Sequence, residues 1–361
     1  MNQDWTSILK CPVTGDSLKF VPEQDLNRIN QLCKERLVWH IDGQPVNDII
    51  TSALVAENGH YIYPIINGIV VLLGNLTMIT DKTLAVAIEM DEDKSLVQKF
   101  YDEKGWFADT EGNYEDAVIF EDLREVSKDY IYKCHNRVSR YLNPSGTYML
   151  DAASGAIQFP QYLQYSEGYT YRVCVDFSFQ ALAEARKKLG NKGIYILADI
   201  TKMPFKDNVM DGFVSLNTIY HIPKDQQVTA VNELYRVLSP GGKGAIIYDW
   251  YKHSPWMNFW MLPFRGIVFL KNRLLSLIGS IINKKPQKRL YFYAHTNAFF
   301  RENLPEYELK VWRTISVPFM RFYIHSWLFG KQILDWIYRK EEANPELFGL
   351  KGEYPLLVFK K

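Results

Sequence analysis

Paired cysteines are missing from this sequence. Its four cysteines, Cys11, Cys33, Cys134 and Cys174, form no CxxC pair and keep no regular spacing. That excludes a disulfide scaffold and leaves a structural zinc site without ligands, so no metal is expected. Excess charge is missing too. With 42 Lys and Arg against 41 Asp and Glu, the formal net charge is +1, so nothing global attracts nucleic acid and none is expected as a partner. No apolar run approaches the ~18 residues that would span a bilayer. The first residues, MNQDWTSILK, lack the basic start and apolar stretch of a secretion signal, and a cytoplasmic protein is expected. What remains is a 361-residue chain, 47% hydrophobic and 23% charged, a globular composition with room for a catalytic domain and a smaller appended unit.

The pattern changes along the chain. Residues 1–75 read as a small unit: a turn at CPVTGDSLKF, a polar helix around Asp25 to Arg36, and short β-like runs ending in HYIYPIINGIVVLL. Residues 76–147 read as a helical connector and cap. From Tyr148 onward, short apolar runs alternate with helical patterns, which is the signature of βαβ units and a parallel sheet. Strands are predicted at TYMLDA, YRVCVDF, GIYILAD, DGFVSL and GAIIYDW. Helices are predicted at Ser178–Leu189 and Lys224–Leu238, and Pro240, Gly241 and Gly242 are read as a break before the fifth strand. Later, TNAFFREN and Ser326–Ala343 read as helices, and ELKVWRTISV and YPLLVFKK as a closing strand pair.

In an open parallel sheet, ligands bind beyond the carboxyl ends of the strands. Each of the first three predicted strands ends there in an acid: Asp151, Asp176 and Asp199. After Asp151 come Ala153, Ser154 and Gly155, small enough for close backbone approach, and a helix start is expected to offer free N–H groups to an anion. The same loop also suits an ordinary tight turn. Asp176, about 25 residues after Asp151, is near the spacing at which an acid accepts from ribose hydroxyls, while Asp176 or Ser178 could equally cap the following helix. Asp199 suits an adenine amino group or simple turn chemistry. Three such tips in succession favour a cofactor.

The motifs LDAASG, VCVDFSFQALAEAR, ADITKMPFKDNVMDGFVSLNTIYHI and ELYRVLSPGGKGAIIYDW resemble those of class I S-adenosylmethionine-dependent methyltransferases, and among them the ubiquinone and menaquinone biosynthesis group. The likeness spans about Tyr148 to Trp250. It implies an α/β fold: a Rossmann-like, mostly parallel seven-stranded sheet with helices on both faces, plus a small N-terminal α+β domain and an inserted helical lid. It further implies S-adenosyl-L-methionine as cofactor, with Asp151, Ala153, Ser154, Gly155 and Phe177 around it, Asp176 on the ribose, Asp199 and Ile200 at the adenine, and Asn217 beneath the methionine. The sequence departs from the family at Ala153 and Ile157, where glycines are usual, and Ile157 is expected to narrow the loop. Residues 1–75 resemble a zinc-ribbon-like activator domain whose second cysteine is replaced at Thr14.

For a hydroxyl acceptor the enzyme must supply a base near the departing proton. His221 is the first candidate, with Tyr220 and His253 beside it and Asp249 and His295 at neighbouring strand or loop ends. His135 reads as packed or solvated. Residues 251–295 are read as the lid. Between Tyr251 and Leu290 it carries Lys252, Arg265, Lys271, Arg273, Lys284, Lys285, Lys288 and Arg289 and no acid, so it suits a membrane surface or an anionic substrate, or else a lid closing its apolar face over the site. The expected function is O-methylation of a small-molecule or saccharide hydroxyl. The alternatives are a quinone or aromatic acceptor, or a cofactor-binding protein without turnover.

Overall fold

The computed structural model describes residues 3–86, 99, 106, 114–277 and 291–361. The parallel core is built from β7 (Gly146–Ala152), β8 (Tyr169–Asp176), β9 (Gly193–Leu197), β10 (Met210–Leu216) and β11 (Leu238–Ile247), and is closed by β12 (Tyr307–Arg313) and β13 (Tyr354–Lys360). These seven run in the order β9-β8-β7-β10-β11-β13-β12. Every neighbouring pair from β9 to β11 is parallel, and β13 is antiparallel to both β11 and β12. Every residue of β9 is buried, as befits a parallel strand covered on both faces. The chain winds outward from β7 in one direction and from β10 in the other, so the crevice between these two strands is the topological switch point.

The helix after β8, Phe179–Leu189, buries Ala181, Leu182 and Ala185 on one stripe. Ser178 is its cap, its hydroxyl accepting from Ala181 N at 3.1 Å. Asp176 instead accepts from Ser178 N at 2.9 Å, so of the two candidate caps it is Ser178 that caps. The predicted helix at Lys224 begins only at Gln227 and ends at Val237.

Three readings need correction. First, Pro240, Gly241 and Gly242 do not precede the fifth strand but lie inside it. β11 pairs Leu238 with Met210, shifts register, and resumes at Lys243 opposite Gly212. Gly241, at φ +82°, turns the intervening residues out as a bulge and donates its N–H to Lys361 O at 2.7 Å. Second, the helix expected over Ser326–Ala343 opens as a 3-10 turn, Ser326–Leu328, and becomes α-helical only at Gly330–Ala343 after Phe329 in the left-handed region. The helix Pro345–Lys351 beyond it was not expected, and it is set off at Asn344–Pro345 because the residue before proline is disfavoured in the α region. A further helix, Val317–Tyr323, had no clear periodic signal.

Third, residues 1–75, expected as a small unit packed on the catalytic domain, instead extend its sheet. Their strand β5 (Ile69–Val71) pairs in parallel with β9, Ile69 opposite Tyr195 through Val71 opposite Leu197. Strands β1 (Leu18–Phe20), β3 (Ala53–Ala56) and β4 (Tyr61–Ile66) continue the same sheet outward, and β2 (Trp39–His40) and β6 (Met78–Ile79) pair off its edge. Trp5, Leu9, Cys11, Leu54 and Tyr63 share one core with Leu150, Val173, Ile196 and Phe213. The N-terminal unit thus covers what would be an open sheet edge. Cys11 is buried and hydrogen-bonded to the Tyr63 hydroxyl at 2.9 Å. The expected connector and cap, residues 76–147, holds β6, the short 3-10 turn Lys82–Leu84 and the helices Glu115–Phe120 and Lys128–Arg137; between residues 87 and 113 only 99 and 106 are among the described residues.

Candidate functional site

A cavity of about 600 Å³ opens at the carboxyl edge of the parallel strands, within the range of pockets that hold a cofactor-sized molecule. Asp151 at the end of β7, Ala153, Ser154 and Gly155 in the loop after it, Asp176 and Phe177 after β8, Asp199 and Ile200 after β9, and Asn217 after β10 all line it. The nine residues expected at the cofactor are therefore brought to one wall.

Their local roles differ. Asp151 is 1% exposed, and its Oδ2 accepts from Arg172 Nε at 2.9 Å and Nη2 at 2.6 Å, so its charge is spent on anchoring the strand tip. Asp176 ties two loops together: Oδ2 accepts from Gly155 N at 2.9 Å and Oδ1 from Ser178 N. Asp199 Oδ1 accepts from Thr201 N at 2.8 Å and Oγ1 at 2.7 Å, an Asx turn that holds the carboxylate at the wall. Asn217 sits at φ +56°, and its Oδ1 is buried with no hydrogen-bond partner among the described residues.

Three of the N–H groups expected to be free at the loop are taken. Ser154 N is donated to Val175 O, Gly155 N to Asp176, and Ile157 N to Ser154 O. The helix that follows starts only at Phe159–Pro160, and its first residue is a proline without an N–H. Nor does Ile157 narrow the site. It does not line the cavity; it is buried in the core with Cys134, Leu182 and Ala185. Ala153, Gly155 and Ile157 all adopt φ between +51° and +56°, so the chain follows the turn that glycine favours even where Ala and Ile replace it, at a backbone cost of about 1–2 kcal/mol each. At Gly155 a Cβ would lie 2.4 Å from the edge of the Trp106 ring, so a larger residue would have to displace it.

These residues fit S-adenosylmethionine. Carboxylates at the second and third strand tips suit a ribose diol and an adenine amino group, and the orphaned Asn217 Oδ1 is an acceptor of the kind an amino-acid ammonium requires.

Beyond this wall the cavity is lined by groups from the opposite end of the sheet and from the helix Glu115–Phe120. His221 is half-buried on the wall, with its Nδ1 2.7 Å from Tyr291 O. A carbonyl can only accept, so Nδ1 carries the proton and Nε2 keeps its lone pair. Burial pushes the His221 pKa down, against the opposing pull of the Tyr291 carbonyl, which favours the neutral imidazole. Tyr220 lines the cavity beside it. His253 does not: it is exposed, with Nε2 3.1 Å from Ala294 O, because the short helical turn Tyr251–His253 carries it past the rim. His295 also lies off the cavity, stacked on Phe299 with centroids 3.9 Å apart. His135 is packed, 1% exposed and parallel to the Trp312 ring.

Asp249, at the end of β11, does reach the cavity, and Glu353, just before β13, joins it there. The strand ends meet where Trp250 N donates to Glu353 O at 2.8 Å. Burial raises both acids, Asp249 to about 7 despite the Tyr251 N–H and Arg313, and Glu353 further because Asp249 adds like charge. Glu353 Oε2 is buried with no partner among the described residues. Arg313, Glu121, Trp312 and Tyr354 complete this end. Of these, only Asp249 was picked out beforehand. The others come from segments more than sixty residues away in sequence, and no local pattern marks them.

Residues 150–246 match a protein-family model described as a methyltransferase domain. The chain is 28% identical over 131 residues to a ubiquinone/menaquinone biosynthesis C-methyltransferase of a Ruegeria species, covering 35% of this chain and 51% of that protein. It is 30% identical over 107 residues to the same-named protein of Desulfotalea psychrophila, covering 29% and 43%. The chain spans about half the length of the curated relatives it matches. Among solved structures, the magnesium protoporphyrin IX methyltransferase of Synechocystis superposes with a TM-score of 0.39 at 13% identity, covering 76% of this chain and 98% of that one. Strand order, acid-tipped crevice and family match together identify residues 150–246 as a class I, S-adenosylmethionine-dependent methyltransferase domain.

Proposed function

We propose that the protein transfers the methyl group of S-adenosylmethionine to a hydroxyl oxygen of a small molecule with an apolar or aromatic body. The observation that carries this is the pairing, in one cavity, of the acid-tipped cofactor wall with a neutral imidazole whose Nε2 is available as a base. The bound cofactor supplies an electrophilic methyl on a positively charged sulfur. His221 then takes the hydroxyl proton at Nε2 as the oxygen attacks. Its Nδ1–H stays on Tyr291 O, and that bond steadies the imidazolium that forms. Phe159, Tyr162, Trp312 and Tyr354 would hold the acceptor's body and exclude water. Methylation at carbon of a quinone or aromatic ring is the second reading, favoured by these same rings and by the names of the relatives.

The test is product analysis by mass spectrometry with S-adenosylmethionine and a panel of hydroxylated acceptors, for the native chain and His221→Gln. Methyl on oxygen, with kcat lowered by about 100-fold or more in the variant and cofactor affinity retained, is expected. An unchanged kcat would remove His221 from this role, and methyl on carbon would favour the second reading.

A further inference from the structure

The lid turns only part of its apolar surface to the cavity, through Met257, Met261 and Phe264. In the helix Leu262–Leu277, Leu262, Ile267, Phe269 and Leu270 are 54–63% exposed, as are Phe259 at 64% and Trp260 at 53% just before it. Of residues 262–273, Phe264 alone is half-buried and the rest are exposed. Large apolar side chains gathered on one surface in water normally have a cover, and among the described residues these have none.

The exposed patch continues beyond the helix. The Tyr323 hydroxyl donates to Trp260 O at 2.7 Å, and Phe264 meets Phe322 edge-on at 5.3 Å. A few residues on, Trp327 and Phe329 are 76% and 71% exposed, and Trp336 is exposed on the helix after them. Arg265, Lys271 and Arg273 are exposed among the apolar residues of the lid helix, Lys331 stands next to Phe329 and Gly330, and residues 251–290 contain no Asp or Glu.

We infer that this surface rests on an anionic lipid bilayer, lying in the interface without crossing it. Trp, Phe and Leu at the surface with Lys and Arg among them is the composition of an interfacial element. The charge of the lid helix, Arg265, Lys271 and Arg273 within an acid-free stretch of sequence, is complementary to a negative leaflet. A second copy of the chain, docked about a twofold axis through the same patch, would set these cations against one another. No helix among the described residues is long and apolar enough to cross a membrane. The surface also leads to the site, because Met261, Phe264 and Arg265 line the cavity. An acceptor dissolved in lipid would therefore enter the cavity directly from the bilayer, a clause that rests on the function proposed above, whereas binding to the bilayer does not.

Flotation of the full chain with vesicles of phosphatidylcholine, alone or mixed with phosphatidylglycerol, tests this without any methyl acceptor. Binding to the mixed vesicles, weak binding to phosphatidylcholine alone, and release at high salt are expected. A Phe269→Glu, Leu270→Glu double variant should bind at least about tenfold more weakly with an unchanged melting temperature, since both side chains are in water. Absence of binding to anionic vesicles at low salt, or equal binding by the variant, would overturn the inference. So would a concentration-dependent dimer in sedimentation velocity that the variant abolishes, which would give the patch to a second copy.

Discussion

Arg172→Met is expected to cost about 3–5 kcal/mol of folding stability, the usual cost of removing one partner of a buried ion pair. Asp151 and Arg172 are each 1% exposed. Nε and Nη2 of the arginine both reach Asp151 Oδ2, and Nη1 donates to Tyr162 O. Methionine fills much of the volume but leaves the carboxylate in a dry strand interior without its counter-charge. Against a typical total of about 5–15 kcal/mol, a loss of this size should move the urea midpoint far to the left. Adding Asp151→Asn to the variant should recover part of it, because the neutral amide tolerates burial better. A loss below about 1 kcal/mol would show that the pair does not hold the first strand tip.

Arg313→Met should cost a similar amount at neutral pH, with a dependence on pH set by its partner Glu121. Arg313 is 2% exposed, lies 4.7 Å from the centroids of both Trp312 and Tyr354, and bonds to Glu121. Burial alone would raise the Glu121 pKa, but the Arg313 charge and the His135 contact bring it from 4.5 down to about 2. A depressed carboxylate stabilises the fold above its unfolded pKa, and that contribution is lost as pH falls through the folded value. The gap between native and variant stability is therefore expected to be widest near pH 7 and to shrink between about pH 5 and 2. Thermal melts across that window check it. A gap independent of pH would mean that the effect is packing against Trp312 and Tyr354 and not charge.

How much of this was legible in the sequence depended on how local each signal was. The acids at 151, 176 and 199 could be placed because each closes a short apolar run, and the chain turns within a few residues. Ser178 as a cap and the stripe of Ala181, Leu182 and Ala185 follow from spacing within one helix. The parallel pairing of β5 with β9 joins segments over a hundred residues apart, and no turn chemistry announces it. Glu353, Arg313 and Glu121 were equally hidden, since each looks like an ordinary surface charge until three distant segments bury them together. His253 failed for the opposite reason. Its position after a strand is right for the site, but one 3-10 turn carries it past the rim. Ile157 shows a backbone preference overruled by packing: a β-branched residue is held at φ +51° because its side chain fills the core.

The central claim, a cofactor site built on the Asp176 tip, is tested most directly by calorimetric titration of S-adenosylmethionine and S-adenosylhomocysteine into the native chain and Asp176→Ala. Melting curves of both proteins check that the Gly155 loop has not collapsed. Two hydrogen-bonded ribose hydroxyls on a carboxylate are worth about 1.5–3 kcal/mol or more. Saturable binding of both ligands, weakened by about 10- to 100-fold in the variant, is the predicted result. No heat from either ligand, or an affinity that Asp176→Ala leaves unchanged, would contradict it.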